Sequence, residues 1–480
     1  MGDQGGIGAM QGERIVDAIS FETKELDRIG AEILAPGGPR AIRLRERRGG
    51  GRSVVFVAHH EDALRVLMEE DTFSLAHYAT LFAAIAPPRV RLLMAPQTAR
   101  LKQQRNLFNT TVVGMANSAL ADAVLSRLSS ESSRRAIAKR AVTSVLDSFR
   151  ARERAEFDII GEYAYFVPYL VAREVFGLPG PAKRDLLTSA FAALRWGMGS
   201  IHRFTPETTP FLTAVYLANL AFAQVFQNFE NRTWYYRWLG ANASACLVAH
   251  LRDRLDVALQ GYDPYPKSLL SGLARAIQDG RAETRDDYRA YAVSLLLEMF
   301  GTTLLIPPLA FTCIVDWMVK EKCGIPGCLK ELDDSKARAF VDELLRLSPP
   351  SKFLLRTATK GVMFETFHVD QNEYVCALVA QACRDPAVFK DPNTLAHGRT
   401  QNILHFGPSD GPHQCLGREL ARDMFAEMLL GLGKLDNLWP VGGAQVKEIL
   451  GISQLMVTWN RDGRMVRSYG PYRSSEPDHV

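Results

Sequence analysis

The sequence predicts a mainly α-helical protein with small peripheral β-sheets. Helical periodicity dominates the chain, and residues 291–320 form its most apolar stretch, long enough for a helix buried in a large core. Strand-like runs are few and short, at residues 53–57, 353–357 and 457–459. A fold of this kind therefore places most of its core between helices.

Local signals predict further helices in chain order. Residues 119–150 have helical periodicity, and a helix over 166–176 is expected to end at Gly177, a residue that commonly terminates helices. A helical run that includes residues 342–348 ends before Pro349-Pro350, and another helix is expected from Arg418 onwards.

Length and composition favour one domain. The chain has 480 residues, of which 47% are apolar, and no linker, repeat or low-complexity tract divides it. We expect a single domain over residues 26–470, with a flexible segment at 1–25 and a flexible tail at 471–480. With 57 basic and 53 acidic residues the charge is too balanced to indicate nucleic-acid binding.

Cysteine and histidine usage indicate a reducing compartment and no zinc site. The seven cysteines are scattered without the spacing of a disulfide framework, and the ten histidines form no HExxH motif. No signal peptide and no uninterrupted run of about 18 apolar residues is evident, so we expect a soluble, cytoplasmic protein without a membrane span.

The most informative segment is the Gly- and Pro-rich run FGPSDGPHQCLG, which starts at Phe406, contains Cys415 and precedes a predicted helix. Backbone N–H groups of a tight turn and a helix N-terminus favour thiolate over thiol, and a thiolate is a strong ligand for haem iron. A structural cysteine near a turn is the alternative.

This segment resembles the haem-binding loop of the cytochromes P450. The resemblance implies a P450-like domain enclosing haem b, with Cys415 as the axial metal ligand and Phe406 and Gly417 as loop positions at the haem. His413 would bind a haem propionate. Gly411, His413, Cys415 and Gly417 keep the family's spacing, whereas Phe406 lies two residues farther from the cysteine than usual.

Further stretches resemble family elements that bind haem propionates. Arg356 lies in the strand whose arginine meets a propionate in the family, and Arg105 fits the helix that supplies another base, with Lys102 as the alternative. Leu101 stands where the family usually has an aromatic residue or histidine, so one propionate hydrogen bond is expected to be missing.

Glu343 and Arg346 lie three residues apart and therefore share one helix face. As an exposed pair they would contribute only a few tenths of a kcal/mol. The family resemblance implies instead a buried Glu-x-x-Arg pair, joined by Arg399, that holds the haem side of the fold.

The apolar helix before Glu343 matches in position the helix over the distal haem face of P450s, where an acid and a threonine deliver protons. If Thr303 is aligned with the threonine of the family helix, Thr302 takes the position of the acid. This chain therefore has the alcohol but lacks the acid. Pro307 has no N–H, so the carbonyl of Thr303 lacks a hydrogen-bond donor within the helix and could hold a water. The alternative is that Pro307 only kinks the helix. The pocket residues that this alignment implies are Met299, Phe300 and Leu304.

The resemblance implies a haem-thiolate monooxygenase that acts on a hydrophobic small molecule with electrons from a ferredoxin or another reductase. The missing acid, and a short similarity of 401–407 and 433–438 to the P450 domains of fungal fatty-acid dioxygenase fusions, support an alternative. That alternative is an isomerase or dehydratase of fatty-acid hydroperoxides, which needs neither dioxygen nor electrons. A haem-binding or sensor protein without turnover is a third possibility.

Overall fold

The structure is a computed structural model that describes residues 13–17, 19–47, 53–78, 130–152, 155–182, 205–206, 208–226, 234–262, 265–279, 285–320, 324–330, 332–396, 398–399, 401–409, 411–415, 417–435, 438–440, 445–447 and 451–459. Its backbone divides into two compact units. Among the described residues, the first unit takes in residues 13–78 and 342–415, and the second takes in residues 130–341 and 417–459.

The described helices are α1 (Thr23–Leu34), α2 (His60–Met68), α3 (Glu131–Arg150), α4 (Tyr165–Phe176), α5 (Thr209–Phe226), α6 (Trp234–Leu259), α7 (Leu269–Asp279), α8 (Arg285–Lys320), α9 (Gly324–Leu329), α10 (Ala337–Leu347), α11 (Val379–Ala382) and α12 (Arg418–Gly433). A π-helical segment, Ile159–Ala164, precedes α4, and a short 3-10 helix spans Leu404–Phe406. The described strands are β1 (Glu13–Val16), β2 (Ala41–Glu46), β3 (Ser53–Val57), β4 (Phe73–Ser74), β5 (Glu156–Asp158), β6 (Leu354–Ala358), β7 (Val362–Met363), β8 (His368–Val369), β9 (Tyr374–Ala377), β10 (Trp439–Pro440), β11 (Gln445–Lys447), β12 (Gly451–Gln454) and β13 (Met456–Thr458).

The first unit is built on a mixed sheet with the strand order β1-β2-β3-β9-β6-β4. Its central strands are rich in β-branched and aromatic residues, which suit a pleated, half-buried surface. Strand β6 pairs antiparallel with β9, and this register sets Arg356 opposite Val375. A core of buried apolar side chains lies against the sheet and α2; it includes Val55, Val57, Val66, Phe73, Val375 and Leu404.

The second unit is helical, and α8 is its central element because it packs against α4, α5, α6 and α7. Helix α3 packs against α12 and α4. By length and composition Ala292–Lys320 could cross a membrane, but 67% of its most apolar window is buried inside the protein, as in the core helix of a globular fold. Small antiparallel pairings, β10-β13-β5 and β11-β12, complete the unit.

The predicted mainly helical fold with small sheets is confirmed. Helix α4 ends at Phe176, and Gly177 follows in the left-handed conformation with φ +76°, as expected for a terminating glycine. Helix α10 ends at Leu347, just before the two prolines, and the predicted strand at 353–357 is observed one residue later as β6. The predicted helix around Arg105 and the start of the one at 119–150 lie outside the described residues.

Candidate functional site

The loop around Cys415 is closed by a backbone hydrogen bond. The Cys415 N–H donates to the carbonyl of Phe406 over 2.8 Å, and Phe406 is the last residue of the 3-10 helix. Gly407 has φ +76°, and a Cβ at that position would lie 2.9 Å from the carbonyl oxygen of His413. A residue with a side chain would therefore strain this loop twice, through its φ angle and through the contact.

The longer first half of the loop forms an extra turn. The Gly411 N–H donates to the Pro408 carbonyl over 3.0 Å, and the Ser409 N–H donates to Asn402 Oδ1 over 3.2 Å. The two additional residues between Phe406 and the cysteine are thus accommodated without disturbing the Phe406–Cys415 hydrogen bond.

Cys415 differs from the other cysteines in its accessibility. Of the six cysteines that the structure describes, none of which forms a disulfide, it alone is exposed. Burial raises the pKa of the Cys383 thiol to about 11 and that of the Cys376 thiol well above its usual range, so both are neutral thiols at pH 7. The described residues also contain no group of three or more His, Cys, Asp or Glu that could hold a metal ion. Cys415 is therefore the cysteine best placed to bind a metal centre as a single thiolate.

Arg356 on β6 is a buried cation that forms no ion pair with a carboxylate of the described residues. Its side chain is 4% exposed, and its Nη1 donates to the carbonyl of Leu355 over 2.8 Å. Among the described residues no hydrogen bond to Nε or Nη2 and no ion pair is found. Burial lowers the pKa of the guanidinium because it disfavours the charged form, and the charges of Tyr78 and Glu70 oppose this shift without cancelling it. A haem propionate would supply the missing anion, so the residues present fit this cofactor.

His413 lies next to a carboxylate that the sequence did not indicate. Its Nε2 is 3.2 Å from Glu70 Oε1, and both side chains are largely buried. Arg105, the other predicted propionate ligand, lies outside the described residues. The structure thus brings His413 and Glu70 together, and the propionate roles of His413 and Arg105 stay predictions.

Glu343, Arg346 and Arg399 form one buried network. Arg346 donates through Nε and Nη2 to the two oxygens of Glu343, over 2.8 Å and 3.0 Å, and Arg399 Nε donates to Glu343 Oε2 over 3.1 Å. Arg346 is fully buried and also donates to the carbonyls of Cys383, Pro392 and Thr394. Burial alone would raise the pKa of Glu343, but hydrogen bonds from Arg346, from the Ala396 N–H and from Arg399 outweigh it and lower that pKa. This is the geometry expected of the buried pair rather than of an exposed one.

Two threonines on α8 make different contacts. Thr302 Oγ1 donates to the Glu298 carbonyl over 2.5 Å, whereas the Thr303 hydroxyl has no hydrogen-bond partner among the described residues. Helix α8 continues through Pro307 and Pro308, neither of which has an N–H, so the carbonyls of Thr303 and Leu304 lose their helical donors. A free hydroxyl and a free carbonyl therefore belong to the same residue, Thr303.

Of the three predicted pocket residues only Met299 keeps accessible surface. Phe300 is 1% exposed and Leu304 is fully buried, so the helix turns both side chains into the packed interior. The partly exposed face of α8 instead carries Met299, Thr302, Thr303 and Ile306, at helical spacing. Met299 and Ile306 lie on this face, whereas the pocket roles of Met299, Phe300 and Leu304 stay predictions. Glu298, a buried carboxylate one turn before Thr302, was also not foreseen.

Comparison with known proteins finds cytochromes P450 by sequence and by fold. The cytochrome P450 family model matches residues 337–435. The chain is 37% identical over 128 residues to 20-oxo-5-O-mycaminosyltylactone 23-monooxygenase of Streptomyces fradiae, a match that covers 25% of this chain and 30% of that protein. It is also 41% identical over 91 residues to Psi-producing oxygenase A of Emericella nidulans, covering 18% of this chain and 8% of that protein.

These two matches span well under two thirds of the curated relatives, but the fold similarity extends over almost the whole chain. The cytochrome P450 PksS of Bacillus subtilis 168 superposes with a TM-score of 0.64 at 15% identity, covering 93% of this chain and 99% of that one. The family-model match, residues 337–435, includes the Glu343 network and Cys415. The segment 337–435 thus matches the cytochrome P450 family, whose cofactor is a haem iron, and the chain has the fold of the solved cytochromes P450.

Proposed function

We propose that the chain is a haem-thiolate monooxygenase that inserts one oxygen atom from O2 into a hydrophobic small molecule. The observation that carries this proposal is the exposed thiol of Cys415 in a loop closed by the Phe406 carbonyl. Haem b is the proposed cofactor, a ferredoxin or another reductase the electron donor, and the cytoplasm the compartment. When bound, the haem supplies the activation of dioxygen, which an electron-donating thiolate ligand favours.

The ligand assignment has a direct spectroscopic test. Reduced protein under carbon monoxide should show the red-shifted Soret band that is peculiar to thiolate-ligated haem, and Cys415→Ala should lose it. Cys246→Ala, which changes another cysteine outside any disulfide but half-buried, is the matched control and should keep the band. Retention of the band in Cys415→Ala would show that another residue is the ligand.

Arginine and histidine side chains would hold the propionates. Arg356 is the principal candidate because it is buried and forms no ion pair with a carboxylate in the described part of the chain, and His413 is a second. Arg105 completes the set on the family resemblance. Gly417 is the N-cap residue of α12, and on the family resemblance it is a loop position at the haem.

Thr303 is the residue to which we assign proton delivery. Its Oγ1 has no hydrogen-bond partner among the described residues, and its own carbonyl lacks a helical donor, so the two oxygens can hold one water. Thr302 has its hydroxyl bound to the Glu298 carbonyl and is less suited to this role. The apolar surface of Met299 and Ile306 on the same face of α8 favours a hydrophobic substrate.

A second candidate function is the isomerisation or dehydration of a fatty-acid hydroperoxide. It is favoured by Thr302 at the position where monooxygenases carry an acid. The 91-residue match to Psi-producing oxygenase A is compatible with it and covers only 8% of that protein.

Electron demand separates the two functions. We expect oxygenation of apolar substrates to require dioxygen, NADPH, ferredoxin and ferredoxin reductase, and a fatty-acid hydroperoxide to be consumed slowly at most without reductant. Rapid anaerobic conversion of the hydroperoxide to a diol, epoxy alcohol or allene oxide would establish the isomerase function instead.

A further inference from the structure

Two half-buried polar side chains, His250 and Arg254, lie side by side on α6. They are four residues apart, so their side chains are neighbours on one face of the helix. His250 Nε2, Arg254 Nε and Arg254 Nη2 have almost no accessible surface and no hydrogen-bond partner among the described residues. None of the residues assigned above to the haem, to the pocket or to proton delivery lies on α6.

The acidic residues nearest in sequence do not neutralise Arg254. Asp253 is exposed, and within the described part of the chain it forms no ion pair with Arg254. Asp256 pairs instead with Arg289 of α8. A guanidinium edge that is shielded from water and has no acceptor is unfavourable, because the lost hydration is not replaced. An acceptor that comes from outside the described residues would remove this cost.

Two other buried arginines show which group this edge of a guanidinium binds. Arg346 donates through Nε and Nη2 to the two carboxylate oxygens of Glu343. Arg43 donates through the same two nitrogen atoms to Glu373, over 2.7 Å and 3.1 Å. Both are pairs of a planar guanidinium with a planar carboxylate through two parallel hydrogen bonds. Arg254 presents the same edge without such a carboxylate among the described residues.

His250 adds a neutral hydrogen-bonding group beside this edge. Burial, followed by the positive charge of Arg254, lowers the pKa of His250 to about 4, and Asp253 opposes this shift without cancelling it. The imidazole is therefore uncharged at pH 7. In the tautomer that carries its proton on Nε2, it donates one hydrogen bond to an oxygen that Arg254 also binds. The pair thus offers three donors and a single positive charge.

We propose that His250 and Arg254 bind the carboxylate of a small organic acid. The two oxygens accept from Nε and Nη2 of Arg254, and one of them also accepts from Nε2 of His250. One negative charge matches Arg254, the only cation of the pair, whereas a phosphate dianion would leave a charge without a partner. Both side chains keep part of their surface accessible, so rotation of the Arg254 side chain opens this edge to the ligand. The site does not rest on the proposed monooxygenase chemistry, and its test needs no turnover.

Saturation-transfer NMR of the acetate methyl signal tests the site in the haem-loaded full chain, with ionic strength held constant by chloride. Acetate should bind, and acetamide, which has the same shape without the charge, should not displace it. Arg254→Gln should raise the Kd of acetate about tenfold or more, as expected for the loss of charge-assisted hydrogen bonds. His250→Phe should raise it about threefold, because one neutral hydrogen bond is lost.

Arg252→Gln is the matched control, because it changes an exposed arginine of the same helix, and it should leave the Kd unchanged. Arg254→Lys keeps the positive charge and loses the two parallel donors, so it should also weaken binding and decides the matter if Arg254→Gln does not fold. The proposal is overturned if the variants at Arg254 bind acetate as tightly as Arg252→Gln. Displacement of acetate by acetamide at similar concentrations would overturn it as well, since the site would then not recognise a carboxylate.

Discussion

Removal of the Glu343 carboxylate should destabilise the protein more than removal of any exposed acid. Glu343 is 2% exposed and accepts hydrogen bonds from Arg346, Arg399 and the Ala396 N–H. In Glu343→Ala the fully buried guanidinium of Arg346 keeps three backbone carbonyls but loses its counter-ion. Breaking a buried pair by removing one partner costs about 3–5 kcal/mol, so we expect a loss of that size in the free energy of unfolding.

The same spacing on the surface provides the matched control. Glu25 and Arg28 on α1 also lie three residues apart, but the Arg28 side chain is 53% exposed. Glu25→Ala should cost no more than about 1 kcal/mol, the upper range for an exposed pair. Urea unfolding, followed by far-UV circular dichroism and by haem absorbance, measures both variants.

A double variant separates the lost charge from the lost packing. Glu343→Leu combined with Arg346→Met removes both charges, and such apolar replacement of a buried pair is often neutral or stabilising, so it should recover much of the loss. The reasoning is refuted if Glu343→Ala unfolds at the same urea concentration as Glu25→Ala. It is also refuted if the double variant is as unstable as the single one.

Three further outcomes are expected. Burial, with a smaller contribution from the charge of Arg254, lowers the pKa of His250 to about 4, so the unfolded chain binds the extra proton first. Stability should therefore fall as the pH drops from about 6.5 towards 4, and His250→Gln should flatten the pH dependence of the melting temperature in that window. Thr303→Ala should reduce the fraction of NADPH consumption that is coupled to product formation, whereas Thr302→Ala should change it little; equal effects would contradict the distinction between the two hydroxyls. Arg356→Met should raise the melting temperature of haem-free protein and weaken haem retention, measured by transfer of haem to apomyoglobin; unchanged retention would show that Arg356 does not hold a propionate.

Local sequence signals predicted the ends of helices well where a glycine or a proline determines where the helix stops. Gly177 ends α4 because it adopts a positive φ, and Pro349 and Pro350 stop α10 because they lack an N–H. The Glu343–Arg346 spacing predicted that the two side chains meet. It could not predict their burial, which depends on residues 383–399 folding over α10 and supplying the carbonyls that Arg346 binds.

The candidate site was less predictable where the environment of a side chain depends on the rotation of a helix or on a contact with a residue distant in sequence. Phe300 and Leu304 fell on the buried side of α8 because its periodicity alone does not say which face is packed. The Thr302 hydroxyl binds back to its own helix, a choice of rotamer that sequence does not encode. The contact between His413 and Glu70 joins residues more than three hundred positions apart and left no local signal.

Two buried arginines of the first unit differ in whether a described carboxylate pairs with them, and this difference bears on the fit of a cofactor. Arg43 on β2 is 2% exposed and has a carboxylate, Glu373, 2.7 Å from its Nε. Arg356 on β6 of the same sheet is equally buried and has no ion pair among the described residues. A buried cation without an anion is costly, and folding alone gives no reason to keep one where an apolar side chain would pack as well. Arg356 is therefore best explained by an anion that arrives with a ligand, and a haem propionate is the anion that a P450 fold brings.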